Sequence, residues 1–290
     1  MDNKLFSQWF VDQAAADQFH CFGVRQVLVD HHSSFQRIQI IEVESLGKCL
    51  IIDGKIQSTE KDEFIYHEAL IHPAVLLHPH PEKVLLLGVG EGATIRELLK
   101  YENLTIVAVD IDAEMIEFSR TYLREWHDGA FEDPRVKMFL EDGWDFIQKT
   151  EEKFDLIVMD LPEPYPDTPA YRLYTPEFYR LAVEKMNPNA LLVTQGETTK
   201  PGQEEHHYWI KKNLQQVFPS VFTYQTYIPS YDSSWGFLLA GRQSLNPFVT
   251  AEEIDRKIKE KVKGSLKFYD GQTHLSMFYL PRHLRNGQPE

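Results

Sequence analysis

The spacing of apolar and polar positions changes near residue 59. Before it, short runs of β-branched and apolar residues at 26–29, 37–43 and 48–52 predict strands. They are bounded by His31-His32-Ser33-Ser34, by Ser45-Leu46-Gly47 and by Asp53-Gly54. Asp53-Gly54 is a hairpin-turn signal, because glycine adopts a positive φ without strain. Residues 55–58 are then the returning strand. A sheet of hairpins this small needs a surface to pack on. Residues 60–77 read as a helix, and from Lys83 onward strands and helices alternate. Strands are predicted at 84–87, 105–109, 136–140, 154–159 and 190–194, with helices at 94–99, 113–124, 144–149, 176–186 and 204–218. Two final strands fall at 221–228 and 236–239. Such alternation predicts parallel βαβ units in a doubly wound α/β sheet. The expected division is a β-hairpin domain over residues 1–59 and a Rossmann-like domain over residues 60–290.

Composition narrows the classes. Of 290 residues, 42 % are apolar and 12 % aromatic, which excludes a disordered chain. Lys and Arg total 30 against 44 Asp and Glu, a net charge of −14. That balance argues against a nucleic-acid partner, which needs clustered basic residues. It suits a cationic ligand, and equally a surface kept soluble by carboxylates. No apolar run approaches the ~18 residues of a membrane span. The start, Met1-Asp2-Asn3-Lys4, carries no basic and apolar leader pattern, so no signal peptide is expected. Two cysteines, Cys21 and Cys49, cannot build a disulfide framework or a four-ligand zinc site. The expectation is a reducing, cytoplasmic setting and no metal. No internal repeat is visible.

In a doubly wound sheet, ligands bind beyond the carboxyl ends of the strands. Four of those ends carry a glycine-rich turn or an acid. Gly88-Val89-Gly90-Glu91-Gly92 lets backbone approach a ligand and opens a helix. Its G-x-G-x-G spacing suits a nucleoside such as adenosylmethionine better than a pyrophosphate. Asp110 can accept from ribose hydroxyls. Asp142-Gly143 can accept from an adenine amine while leaving room for the ring. Each acid alone could equally be a helix N-cap. Three consecutive strand ends together favour a nucleoside site on a class I methyltransferase-like sheet. The fourth, Asp160-Leu161-Pro162-Glu163-Pro164, places two carboxylates in a proline-stiffened loop. They can hold a polyammonium chain, and Asp160 can take a proton from an amine; the alternative is an N-cap and a solvated glutamate. Glu91 discriminates between donors: it repels the carboxylate of adenosylmethionine and attracts the lone ammonium of the decarboxylated form.

Other chemistry-bearing residues read as structural. His31-His32 and His206-His207 are adjacent pairs, whose side chains diverge, and read as solvated loop or helix residues. His72, His78 and His80 flank Pro73, Pro79 and Pro81 and read as turn residues, while Trp9 and Trp126 read as packing residues.

The stretch Gly47-Lys48-Cys49-Leu50-Ile51-Ile52-Asp53-Gly54-Lys55-Ile56-Gln57-Ser58-Thr59-Glu60-Lys61-Asp62-Glu63-Phe64-Ile65-Tyr66-His67-Glu68 resembles the signature of the polyamine aminopropyltransferases. The glycine loop matches that family's GGG(D/E)GG-type turn, with Val89 and Ala93 as departures. The strand 154–159 with Asp160-Leu161-Pro162-Glu163-Pro164 resembles its D-x-x-D-P loop, with Glu163 in place of the second Asp. Glu91, Ala170-Tyr171-Arg172-Leu173-Tyr174-Thr175 and Pro229-Ser230-Tyr231-Asp232-Ser233-Ser234-Trp235-Gly236 resemble the thermospermine synthase branch, whereas Gln195-Gly196-Glu197 resembles spermidine synthases.

The resemblance implies transfer of an aminopropyl group from decarboxylated S-adenosylmethionine to a polyamine, releasing 5'-methylthioadenosine and using no prosthetic group. It implies that Gln36 and Gln57 contact the thioadenosine, with Pro169 packed on it. Asp110 would hold the ribose and Asp142-Gly143 the adenine, with Gly88 and Gly90 shaping the turn and Glu91 on the aminopropyl ammonium. Tyr66, His67, Asp160, Glu163, Gln195 and Tyr231 would line the amine channel, with Asp160 as proton acceptor. Tyr66 can orient the acceptor nitrogen or relay its proton. It also implies a homodimer or homotetramer. The acceptor stays open between spermidine and putrescine, with spermidine favoured. Two other classes compete: an adenosylmethionine-dependent methyltransferase and a non-catalytic polyamine-binding protein.

Overall fold

The protein is described from a computed structural model covering residues 8–15 and 18–285. Residues 1–4, in which a leader was sought, lie outside these. The N-terminal strands β1 (Trp9–Ala15), β2 (Gln18–His32), β3 (Arg37–Val43), β4 (Gly47–Ile52) and β5 (Lys55–Thr59) pair in chain order as an antiparallel meander. Asp53 and Gly54 join β4 to β5 with φ of 49° and 81°, as a two-residue hairpin turn requires. Alternate residues of β3 and β4 face opposite ways. Ile38, Ile40, Leu50 and Ile52 pack on Ala93, Met115 and Trp126 of the following unit, the surface such a meander needs. Each of these fully buried aliphatic side chains contributes roughly 1.5–3 kcal/mol.

The rest of the chain runs α1 (Glu63–Leu77), β6 (Lys83–Leu87), α2 (Ala93–Leu99), β7 (Thr105–Asp110), α3 (Ala113–Tyr122), α4 (Arg124–His127), β8 (Val136–Leu140), α5 (Gly143–Lys149) and β9 (Phe154–Met159). It continues through α6 (Pro176–Glu184), β10 (Met186–Thr198), α7 (Glu205–Gln215), β11 (Ser220–Ile228), β12 (Ser233–Gly241), α8 (Ala251–Lys261), α9 (Gly271–Phe278) and α10 (Arg282–Arg285). The sheet order is β11-β12-β10-β9-β6-β7-β8, with β6 to β10 mutually parallel and β12 antiparallel to both its neighbours, β10 and β11. Val84 and Leu86 join the core on one face, Leu85 and Leu87 the core on the other. Burial of both faces explains why these strands read as continuous apolar runs. The chain steps outward from β6 through β7 to β8, then returns to β9 on the opposite side of β6. That reversal opens a crevice beyond the ends of β6 and β9.

Several boundaries differ from the sequence reading. The first helix begins at Glu63 rather than residue 60, because Asp62 accepts from the Thr59 hydroxyl at 2.6 Å and the Ser230 amide at 2.7 Å. The helix expected at 113–124 breaks at Leu123 into α3 and α4. The sequence pattern predicts none of β1, the first half of β2 or helices α8 to α10. His72 is not a turn residue: it is fully buried in α1, between Tyr101 at 2.8 Å and Glu97 at 3.0 Å. His207 is not solvated: its ring lies between the Gly196 carbonyl at 2.6 Å and Thr223 at 3.1 Å. Trp126 is buried as expected, but Trp9 is 56 % exposed.

Candidate active site

The crevice is a cavity of about 490 Å³, the size range of small-ligand sites. Every residue singled out for binding or catalysis lines it. The N-terminal meander supplies Gln36 and Gln57, α1 supplies Tyr66 and His67, and the glycine loop supplies Gly88, Gly90 and Glu91. Asp110 ends β7, Asp142 and Gly143 open α5, and Asp160, Glu163 and Pro169 follow β9. Gln195 lies in β10 and Tyr231 precedes β12.

Gly88 is dictated by its neighbour. Its φ is +81°, and an added Cβ would overlap the backbone of Asp160. The two strand ends are tied by the Asp160 amide donating to the Leu87 carbonyl at 2.8 Å.

At the end of β7, Asp110 is half-buried and its carboxylate shapes the loop itself. It accepts from the amides of Val89 at 2.8 Å, Gly90 at 3.2 Å and Asp112 at 2.9 Å. Burial raises its pKa, and these three amides oppose the rise. With about four lone-pair sites on a carboxylate, roughly one remains for a ligand hydroxyl. Asp142 does cap a helix: it accepts from the amides of Trp144 at 2.8 Å and Asp145 at 3.3 Å. Its other oxygen pairs with Arg172 at 2.6 Å. Gln36 donates to Asp112 at 2.9 Å, and Ser33 does so at 2.6 Å. Asp112 therefore pins the meander to the N-terminus of α3, a role the sequence reading missed although Asp110-Ile111-Asp112 before a helix is a capping signal.

At the centre, Asp160 accepts from the Tyr66 hydroxyl at 2.7 Å and the Thr94 hydroxyl at 2.5 Å. Burial raises its pKa, while the charge of His67 and the Thr94 and Tyr66 bonds oppose this. Burial and the neighbouring Asp160 hold the Tyr66 phenol well above its ordinary range, so it stays a donor. Thr94 was also missed; its position in the first turn after the glycine loop was the available signal. Glu91 is not a free anion: His67 Nε2 lies 3.3 Å away.

Beyond Asp160 the cavity is acidic. Burial and the charge of Glu197 push the Glu163 carboxyl up to about 7. Glu197 is buried at a φ of +65°, and its Oε1 lies 3.8 Å from His206 Nδ1 without a hydrogen bond. Gln195 donates to the Tyr174 hydroxyl at 3.1 Å, and the Tyr231 hydroxyl donates to the Gln57 carbonyl. Tyr231 also meets Tyr66 edge-on, ring centroids 6.5 Å apart. Glu197 is strained enough to be informative: a buried glutamate in the left-handed region needs surroundings that over-determine it. Among the described residues no group of three or more His, Cys, Asp or Glu side chains is arranged to hold a metal. No helix among them is long and apolar enough to cross a membrane.

These features match known proteins. The family model described as "Spermine/spermidine synthase domain" matches residues 63–251, and "Spermidine synthase tetramerisation domain" matches residues 8–60. A polyamine aminopropyltransferase of Sulfurisphaera tokodaii is 44 % identical over 278 residues, 96 % of this chain and 92 % of that protein. One from Sulfolobus acidocaldarius is 42 % identical, with the same coverage. Among solved structures, a spermidine synthase in complex with the transition state analogue AdoDATO superposes with a TM-score of 0.89 at 28 % identity, covering 97 % of this chain and 94 % of the other. Spermidine synthase from Thermotoga maritima gives 0.86 at 28 % identity, covering 96 % and 93 %. The chain, with its glycine loop and Asp160 at the sheet's reversal, belongs to the spermine/spermidine synthase family.

Proposed function

We propose that this polyamine aminopropyltransferase moves the aminopropyl group of decarboxylated S-adenosylmethionine onto spermidine, releasing 5'-methylthioadenosine. One observation carries the reading: Asp160, held by two hydroxyl donors, lines one cavity together with Asp110 and Asp142 at neighbouring strand ends and with Glu163 and Glu197. The acceptor nitrogen attacks the methylene beside the sulfonium. A C–N bond forms, the C–S bond breaks with its electrons passing to sulfur, and Asp160 takes the proton from nitrogen. An alkyl ammonium has a pKa near ~10 and no free lone pair, so proton removal and alignment are what the chain must supply. Tyr66 cannot serve as the base, because its phenol stays protonated.

Gly88 and Gly90 shape the turn around the donor. Asp110, Asp142, Gly143, Gln36, Gln57 and Pro169 form the thioadenosine half in this reading, and Glu91 with His67 receives the aminopropyl end. Gln195 and Tyr231 wall the amine channel. Spermidine is preferred over putrescine because Glu163 and Glu197 together offer anionic partners beyond Asp160, as a triamine needs. The match of residues 8–60 to a tetramerisation domain supports a homo-oligomer, a dimer or tetramer. Residues 1–59 then form one unit and residues 60–290 the catalytic one. Cys21 and Cys49 are free thiols, in keeping with a cytoplasmic setting.

Incubation with the decarboxylated donor and spermidine, putrescine, agmatine or cadaverine tests this, with chromatography separating spermine from thermospermine. Turnover of spermidine with release of methylthioadenosine supports the reading. Turnover of putrescine alone contradicts the acceptor, and preference for intact adenosylmethionine contradicts the donor.

A further inference from the structure

Glu63 opens α1 and Arg96 lies in α2; neither lines the main cavity. Arg96 grips Glu63 with two nitrogens, Nη1 at 3.1 Å and Nη2 at 2.9 Å, and Nη1 also donates to the Trp126 carbonyl at 2.7 Å. One turn along α1, His67 Nδ1 donates to Glu63 Oε2 at 2.9 Å and to the Glu63 carbonyl at 2.7 Å. On the far side of the ring, Nε2 lies 3.3 Å from Glu91 Oε1. Both ring nitrogens therefore face acceptors, and a buried imidazole so placed carries a proton on each.

We infer that Glu63, locked in place by Arg96, is a positioning residue for the transfer: it keeps His67 a permanent imidazolium, and that fixed charge keeps Asp160 an ionised base. Burial disfavours charge on His67, but its bonds to Glu63 and Glu91 outweigh this and raise its pKa to about 10. At Asp160 burial is the largest influence, and the charge of His67 is the foremost one opposing it. The groups facing His67 are Glu63 from its own helix, Glu91 from the glycine loop, and the edge-on Tyr66 ring at 5.1 Å, whose hydroxyl donates to Asp160 at 2.7 Å and so places that carboxylate next to the pair. Arg96 reaches it only through Glu63. Glu91 pushes the Asp160 pKa up, whereas Thr94 and Tyr66 lower it. Neutralising His67 removes a stabilising positive charge, so the Asp160 pKa rises and activity falls most at low pH.

The inference rests on Asp160 as proton acceptor, but the charge on His67 is read without any turnover. Nitrogen-15 NMR of the full-length, histidine-labelled enzyme from about pH 5 to 9 should show His67 doubly protonated throughout the wild type. In Glu63→Gln, His67 should titrate near its ordinary ~6.5. The acid limb of kcat, read at saturating spermidine so that the Glu163-dependent KM does not enter, should move up by about one unit, a roughly tenfold loss at low pH with little loss near pH 9. His67→Gln removes the same charge while leaving the Glu63–Arg96 pair intact, and should move the limb equally; it carries the test if Glu63→Gln does not fold. A neutral His67 at pH 7 in the wild type overturns the inference. So does an unmoved limb in either folded variant, or a loss equal at every pH in Glu63→Gln. Retained turnover in Asp160→Asn would instead overturn the base assignment, leaving the His67 measurement intact.

Discussion

The Tyr66 hydroxyl donates to Asp160 Oδ1 at 2.7 Å, joining the first helix of the catalytic unit to the end of β9. Tyr66 is itself buried and packs against Phe237 and Tyr231. The bond fixes where the carboxylate points, with the Thr94 hydroxyl holding its other oxygen.

Tyr66→Phe keeps the packing and removes only the donor. Turnover should fall about 10–100-fold through misaligned proton acceptance. Stability should change by only about 1 kcal/mol, the usual net worth of one hydrogen bond. Steady-state kinetics beside thermal unfolding separate the two effects. A variant with unchanged kcat contradicts the orienting role.

Glu163 makes acceptor binding pH-dependent. Its carboxyl has a pKa of about 7, raised above the ordinary value by burial and by Glu197. The charged form that attracts an ammonium is therefore present above pH 7 and lost as pH falls through it. The KM for spermidine should rise on acidification from pH 8 to 6, and Glu163→Gln should show a high, flat KM over that window. Measured KM values across the range decide it; unaltered pH dependence in the variant counts against Glu163.

Gly88→Ala meets two obstacles together, a φ of +81° and the Asp160 backbone in the space of the new Cβ. The strained conformation alone costs about 1–3 kcal/mol, and the overlap adds to it. A lowered unfolding midpoint and weakened donor binding by calorimetry are expected. A variant with wild-type stability would show that the two strand ends are not so tightly apposed.

Glu68 accepts from the backbone amides of Lys267, Phe268 and Tyr269, each at 2.8 Å, and so ties the C-terminal segment to α1. Glu68→Gln can accept through only one oxygen and loses the charge. About 1–3 kcal/mol of local stability should go with it. Amide hydrogen exchange should quicken at residues 267–278 and stay unchanged in β6 and β9. Uniform exchange across the chain would contradict a local clamp.

The parts of this protein legible in sequence are those whose side chains all answer to one environment. Strands β6, β7 and β9 are buried on both faces, so Val84 to Leu87 or Leu156 to Met159 announce themselves. Helix α8 does not: Ile254 is its fully buried aliphatic anchor, while Arg256–Glu260 and Lys257–Glu253 pairs cover the outside. Strand β1 hides for the opposite reason, since Trp9 and Val11 point outward and mimic a core pattern where the monomer has none. The acids at strand ends were readable because a doubly wound sheet dictates where to look. The contacts of Thr94 with Asp160, Asp112 with Gln36 and Arg96 with Glu63 were not, because these partners lie far apart in sequence and only folding unites them.

The most direct test of the account is Asp160→Asn. The single-turnover rate of aminopropyl transfer to spermidine is measured alongside calorimetric binding of the decarboxylated donor. The amide cannot accept a proton from nitrogen, so the rate should fall by about 10²–10⁴-fold. Donor affinity should stay close to the wild type, because the thioadenosine half is untouched. A variant that still transfers the aminopropyl group at a near-normal rate would contradict the assignment of Asp160 as the base.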